Sequence, residues 1–116
     1  MGDDVLDKVD SRDVSEVHGL GACLIWRAGE PLTRDGKYGR LYDPAQKRTD
    51  SAHVVVYVRV YGPIPTYTLP DGKVVKMTVD HLCWQTLCQR PDHFEAITRE
   101  ENTRRMRARR KARKTA

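Results

Sequence analysis

The sequence is poor in the residues that build a deep apolar interior. Its 116 residues include one phenylalanine and two tryptophans, aromatics amount to 7%, and hydrophobic residues to 39%. A chain of this length is expected to form one domain that buries about two thirds of its unfolded surface. So thin a core makes a structural metal a natural supplement. No apolar run approaches the ~20 residues of a membrane helix, and the acidic start MGDDVLDKVD is unlike a secretory signal. A cytoplasmic protein with no membrane partner is the expectation. Cysteine is scarce and odd in number: Cys23, Cys83 and Cys88. Three thiols do not make a disulfide framework, but one more ligand would close a tetrahedral zinc site.

Acidic residues are missing between Asn102 and Ala116, where Arg104, Arg105, Arg107, Arg109, Arg110, Lys111, Arg113 and Lys114 stand unopposed. The start of the chain is the reverse, with Asp3, Asp4, Asp7, Asp10, Asp13 and Glu16 against Lys8 and Arg12. The net charge is +5. A basic run on a small domain points to a polyanionic partner, nucleic acid first, although a solvated tail explains the run equally well by itself. Charge thus sets an acidic N-terminal stretch and a basic C-terminal stretch apart from the middle of the chain.

Within this frame, residues 1–17 read as a mobile arm or a short helix. Ala22 to Trp26 (ACLIW) is a short apolar run bounded by turn residues, which predicts a buried strand. Lys37 to Tyr42 alternates and is expected to pair with it as a hairpin, followed by a polar loop from Asp43 to Asp50. His53 to Tyr61 (HVVVYVRVY) has the β-branched content of a strand. Yet the spacing of His53, Val56, Tyr57 and Val60 is also helical, with Gly62-Pro63 as a stop. Pro70-Asp71-Gly72 marks a turn, and Lys73 to Asp80 a strand ending at His81. Phe94 to Ile97 is a short strand. Thr98-Arg99-Glu100-Glu101 is a capping box that should start a helix running into the basic tail.

Cys83-x4-Cys88-x4-His93 gathers three zinc-type ligands in eleven residues of polar loop. Cys23, His18 and His53 are the candidates for the fourth, with Cys23 preferred because three thiolates and one imidazole form a familiar structural set. Four protein ligands leave no open position, so such an ion is structural rather than catalytic. His81 ends a strand two residues before Cys83 and cannot easily turn back to the same ion. It is therefore free for other chemistry, with Asp80 beside it. A strand, pinned loop, strand and helix in succession would bring Asn102 across from it.

The run D-H-L-C-x4-C-x2-P-D-H-F-E-A-I-T-x2-E-N, from Asp80 to Asn102, resembles the HNH or His-Me finger endonucleases, most of all their zinc-stapled homing-type and phage-encoded members. Ala22–Trp26, Ala52-His53 and Gly62–Pro65 extend the resemblance upstream, so that it implies a nuclease domain over 19–105 between an acidic N-terminal arm (1–18) and a basic C-terminal tail (106–116). It implies an α+β fold: a small His-Me finger (ββα-metal) domain with an added antiparallel hairpin at Thr66 to Met77, stapled by structural zinc. It also makes 53–61 a helix, against its propensity. The implied activity is metal-dependent hydrolysis of phosphodiester bonds in double-stranded DNA, in a bacterial or phage-infected cell, by a monomer or homodimer. His81 would be the general base and Asn102 a ligand for Mg²⁺ (or Mn²⁺), with Asp80 a second ligand. DNA contacts are expected from Arg40, Arg59, Arg104, Arg105, Arg107, Arg109 and Arg110. The chain departs from the pattern at Gln85 and Arg90, where relatives often carry loop-bracing asparagines, and at Val54, where they often carry arginine. The alternative from another class is a catalytically silent, zinc-stabilised DNA-binding module.

Overall fold

Every sheet among the described residues is a two-stranded antiparallel ribbon, so each strand pair needs another element to cover its apolar face. The computed structural model describes residues 2–115. The elements are α1 (Asp3–Leu6), β1 (Val9–Arg12), β2 (Cys23–Trp26), β3 (Arg40–Asp43), β4 (Arg48–Ser51) and α2 (Ala52–Tyr61). Then come β5 (Thr66–Thr68), β6 (Val74–Lys76), β7 (Thr78–His81), β8 (Phe94–Ile97) and α3 (Arg99–Thr115). The ribbons are β1–β2, β3–β4, β5–β6 and β7–β8.

One apolar cluster ties several of these pieces together. Val5 from α1, Val9 from β1, Trp26 from β2 and Leu41 from β3 pack with Ala52, Val55 and Val56 of α2 and with Val79 and Phe94 of the β7–β8 ribbon. Ala52, Val55 and Val56 share one helical face, and that is why this β-branched segment is a helix. Its apolar residues meet the core together only at helical spacing, and burial overrides the local preference. Gly62, at φ 91°, ends the helix where a side chain would be strained. Gly39 answers a different need: a Cβ there would lie 2.7 Å from the Trp26 ring, so only glycine lets the chain before β3 approach it.

Three expectations about the chain before His81 are overturned. Of the two readings of the acidic N-terminus, the short helix holds as α1 and the mobile arm does not, since Val5 is 0% exposed and β1 pairs with β2 from Val9↔Trp26 to Arg12↔Cys23. β2 therefore does not pair with Lys37–Tyr42. β3 pairs instead with β4, formed from the expected polar loop, in the register Arg40↔Ser51 to Asp43↔Arg48. Residues 73–80 are two strands broken at Met77, not one, and the first of them closes the β5–β6 hairpin.

The last third of the chain follows the sequence more closely. Strands β7 and β8 pair from Thr78↔Ile97 to His81↔Phe94. Thr98 Oγ1 accepts the Glu101 N–H at 3.2 Å, which satisfies one orphan donor of α3. The Glu101 carboxylate does not complete the capping box, because it turns to Arg104 and Arg105. The basic tail is not a separate segment. It is the continuation of α3, which has no fully buried residue and is held down by ion pairs: Arg105 and Arg109 to Asp80, and Arg113 to Glu16.

Candidate functional site

The metal knuckle is built by β2 and the loop after β7. Trp26 donates its backbone N–H to Leu87 O (2.9 Å), and Gln89 donates to Leu24 O (2.7 Å). This pairing lays the loop along the free edge of β2 and brings Cys23, about sixty residues upstream, against Cys83 and Cys88. The ligand atoms of Cys23, Cys83, Cys88 and His93 lie within 4.8 Å of one another, and all four residues are buried. His93 Nδ1 is 3.7 Å from Cys23 Sγ and 3.5 Å from Cys88 Sγ. Tetrahedral Zn–S and Zn–N bonds of about 2.3 and 2.0 Å place such ligand atoms about 3.5–3.8 Å apart, so the cluster can hold zinc. His18 and His53 are not in it. His93 donates Nε2–H to Leu20 O at 2.8 Å, which fixes the tautomer with Nδ1 as the ligand nitrogen. Burial and the neighbouring Cys88 thiolate push Cys23 up to about 11, whereas the hydrogen bond from Cys83 pulls Cys88 down to about 5. Three thiols this close are not thiolates together unless a cation compensates them.

The two departures from the expected loop pattern have structural jobs. Arg90 donates to Ala22 O (2.7 Å) and to Asp92 (2.7 Å), and Gln85 donates to Val14 O (2.8 Å). Both brace the knuckle against the segment before β2, where the asparagines of the pattern would brace it internally.

His81 stands at the end of β7 on the wall of a cleft of about 710 Å³, which Asn102 also lines. It is 4% exposed, and its Nε2 lies 3.1 Å from Cys88 O. A carbonyl can only accept, so Nε2 carries the proton and Nδ1 keeps a free lone pair. Burial holds His81 down to about 4, so the ring is neutral at physiological pH. Asn102 sits one turn into α3. Its Nδ2 donates to Met106 Sδ (3.7 Å), which leaves Oδ1 without a partner among the described residues.

Asp80 is not an open ligand. Its carboxylate, 5% exposed, accepts two hydrogen bonds from Arg109 (2.8 and 2.7 Å) and one from Arg105 (3.1 Å). Burial by itself would raise its pKa, and the two guanidiniums more than reverse that. Because the folded value lies below the ordinary one, this pairing contributes fully above about pH 4 and is lost as the pH falls through the folded value. Asp80→Ala should destabilise the fold by about 2–3 kcal/mol, somewhat under a fully buried broken pair because the arginines can turn to solvent. A urea melt at pH 7 measures this, and an unchanged midpoint would show the pairing to be idle.

The expected DNA-contacting arginines fall into two groups. Arg59 is engaged within the fold: it pairs with Asp4 (2.8 and 3.0 Å) and Asp43 (3.4 Å), fastening α1 to α2 and β3. Arg105 is spent on Asp80, Glu95 and Glu101, and Arg104 pairs with Glu101. Arg109 lines the cleft but is committed to Asp80 and lies over the Trp84 ring, 5.5 Å from its centroid. Arg113 covers the same ring at the same distance. Arg40, Arg107 and Arg110 carry no ion pair among the described residues; Arg40 and Arg107 are exposed and Arg110 is exposed too. Arg110 lines the cleft together with Lys37 and Lys114. Two aromatic groups in the cleft escape sequence reasoning. Trp84 takes a strained φ of 65° at the knuckle tip, and Tyr38 stacks on His53 at 4.9 Å. The sequence reading gives His53 no chemical role except candidate zinc ligand, although its helical spacing with Val56 signals that it faces inward with the core.

In comparison with known protein families, residues 50–104 match the model described as HNH endonuclease. No curated protein and no solved structure matches the chain.

Proposed function

We propose, from the match of residues 50–104 to the HNH endonuclease family model, that this chain is a metal-dependent DNA endonuclease with a structural zinc. The observation that carries the reading is the state of His81. Its Nε2 is tied to the Cys88 carbonyl, and its free nitrogen shares a cleft with Asn102 and with Lys37, Arg110 and Lys114. A neutral imidazole held this way takes a proton from water, the hydroxide attacks phosphorus, and the bond to the 3′ oxygen breaks. The knuckle keeps this geometry, because zinc on Cys83 and Cys88 fixes the backbone that orients His81.

The donor set for a catalytic ion is one free oxygen, Asn102 Oδ1, since Asp80 is engaged by arginines. That fits magnesium or manganese arriving with substrate, because such ions keep several waters and take phosphate oxygens beside one or two protein ligands. When bound, the ion supplies Lewis-acid activation of the phosphate and stabilises the leaving oxygen. One such site cuts one strand, so a double-strand break needs two copies or two visits. The cluster of Cys23, Cys83, Cys88 and His93 supports reading the chain as a zinc-stapled member of the homing or phage-encoded type. Among the described residues no helix is long and apolar enough to cross a membrane.

The engagement of Asp80 by two arginines favours one rival, a catalytically silent zinc-stabilised DNA-binding module. Plasmid relaxation or linearisation with and without Mg²⁺ or Mn²⁺ separates the two. Binding without cutting under any of these conditions would establish the silent module.

DNA affinity should come from the cations that the fold leaves free. Replacing Lys37, Arg110 and Lys114 together by glutamine should weaken duplex binding most at low salt. The slope of log K against log salt should flatten by up to about 0.9 for each phosphate that is no longer neutralised. Truncating the helix is the poorer experiment, since it also removes Arg109 and Arg113. A triple variant with the wild-type salt slope would move the DNA-binding surface elsewhere.

A further inference from the structure

His53 is a cleft residue whose polar character has no use within the protein. It lies in the first turn of α2 and is 6% exposed. Its ring is sandwiched between Tyr38, stacked at 4.9 Å, and His81 at 4.7 Å, with Phe94 edge-on at 6.2 Å. Nδ1 is shut off from solvent and has no hydrogen-bond partner among the described residues. Buried polar atoms are nearly always paired, and an orphan asks what partner is missing. A phenylalanine would fill this aromatic slot without that penalty.

The orphan also favours one tautomer. An unpaired buried N–H is less tolerable than an unpaired lone pair, so the proton belongs on Nε2. The little of the residue that is exposed lies on the cleft wall that it shares with His81. The two imidazoles are therefore opposite in kind. His81 spends its N–H on the Cys88 carbonyl and offers the cleft an acceptor. His53 spends nothing and offers the cleft a donor.

Resting on the nuclease reading of this cleft, we propose that His53 donates its Nε2–H to a non-bridging oxygen of the phosphodiester that His81 attacks. It holds the phosphorus in line for the water on His81 and takes up the charge that grows on that oxygen as the new bond forms. Its neutral state suits the task, because a donor that does not ionise does not compete with His81 for the water's proton. Tyr38 keeps the ring in plane.

The test uses His53→Phe and His53→Gln in the full chain. Phenylalanine keeps the volume and the stacking, and glutamine places an N–H near the position of Nε2. His53→Phe should retain zinc and melt at or above the wild-type temperature, because it removes an orphaned polar group. It should lose kcat on the order of 10²-fold, as for removal of one donor to a developing oxyanion, with KM little changed. His53→Gln should recover a substantial part of that loss. Wild-type kcat in His53→Phe overturns the proposal. So does an equal loss in both variants accompanied by a lower melting temperature, which would make His53 a packing residue. A second readout does not depend on cutting: the ¹⁵N resonance of the His53 side chain when a duplex is added in Ca²⁺. The shift of a newly hydrogen-bonded Nε2 supports the contact, and an unmoved resonance in the bound complex overturns it. If wild type cuts no DNA but the resonance moves, the nuclease reading fails while the phosphodiester contact stands.

Discussion

Cys88→Ser should yield a chain that is largely unfolded at 25 °C, the largest effect expected of any single substitution here. Apparent zinc binding energies in small structural sites are on the order of 10 kcal/mol, which matches the whole stability of many domains of this size. Little else holds the knuckle. Around Cys23, Cys83 and Cys88 the apolar support comes from Leu20 and Ile25, both partly exposed. Without the ion, three thiols and an imidazole remain in a buried space with no compensating charge. The damage would spread because the loop pairs with β2 through Leu87 and Gln89, and β2 carries Trp26 of the main core. Far-ultraviolet circular dichroism during heating, with elemental analysis for zinc on the same sample, is the measurement. A chelator should do to the wild type what the substitution does. Zinc-free protein that melts like the untreated sample would rule out the structural ion.

The second large effect is on catalysis. His81→Ala should lower the cleavage rate about 10²- to 10⁴-fold, the usual contribution of a general base. Because His81 is buried and donates to Cys88 O, the substitution also orphans that carbonyl, at a cost of about 1–3 kcal/mol. A somewhat lower melting temperature with full zinc content is therefore expected, and added imidazole should restore part of the activity by refilling the vacated space. The pH profile carries a second signature. An unperturbed histidine titrates near ~6.5, but burial moves this one to about 4. Only the neutral ring accepts a proton, so the acid limb of the rate should lie well below the ordinary histidine range, and the rate should already be level at neutrality. Asn102→Ala, by contrast, should raise the metal concentration needed without moving that limb. Wild-type cleavage rates in both variants would remove the nuclease reading altogether.

What was legible in the sequence was whatever depends on neighbours within about a dozen residues. The spacing of Cys83, Cys88 and His93 is local, and so are the Thr98 cap and the short strand from Phe94 to Ile97. Each is set by chain geometry over short loops, so each appears in the structure at the expected residues. The resemblance supplied the α2 helix, which propensity alone would have made a strand. Tertiary contacts then decided whatever depends on partners far along the chain. Cys23 reaches the knuckle because β2 pairs with β1 on one edge and with Leu87–Gln89 on the other, and neither pairing is written into ACLIW. The N-terminal segment reads as a charged arm until Val5 and Val9 find the α2 core. Most telling are the arginines, which look alike in sequence. Arg59, Arg105 and Arg109 are neutralised by Asp4, Asp43 and Asp80, whereas Arg110 and Lys114 stay free beside the cleft. A cation's availability depends on which carboxylate the fold brings within about 3 Å of it, and that is a property of the packed chain rather than of its order.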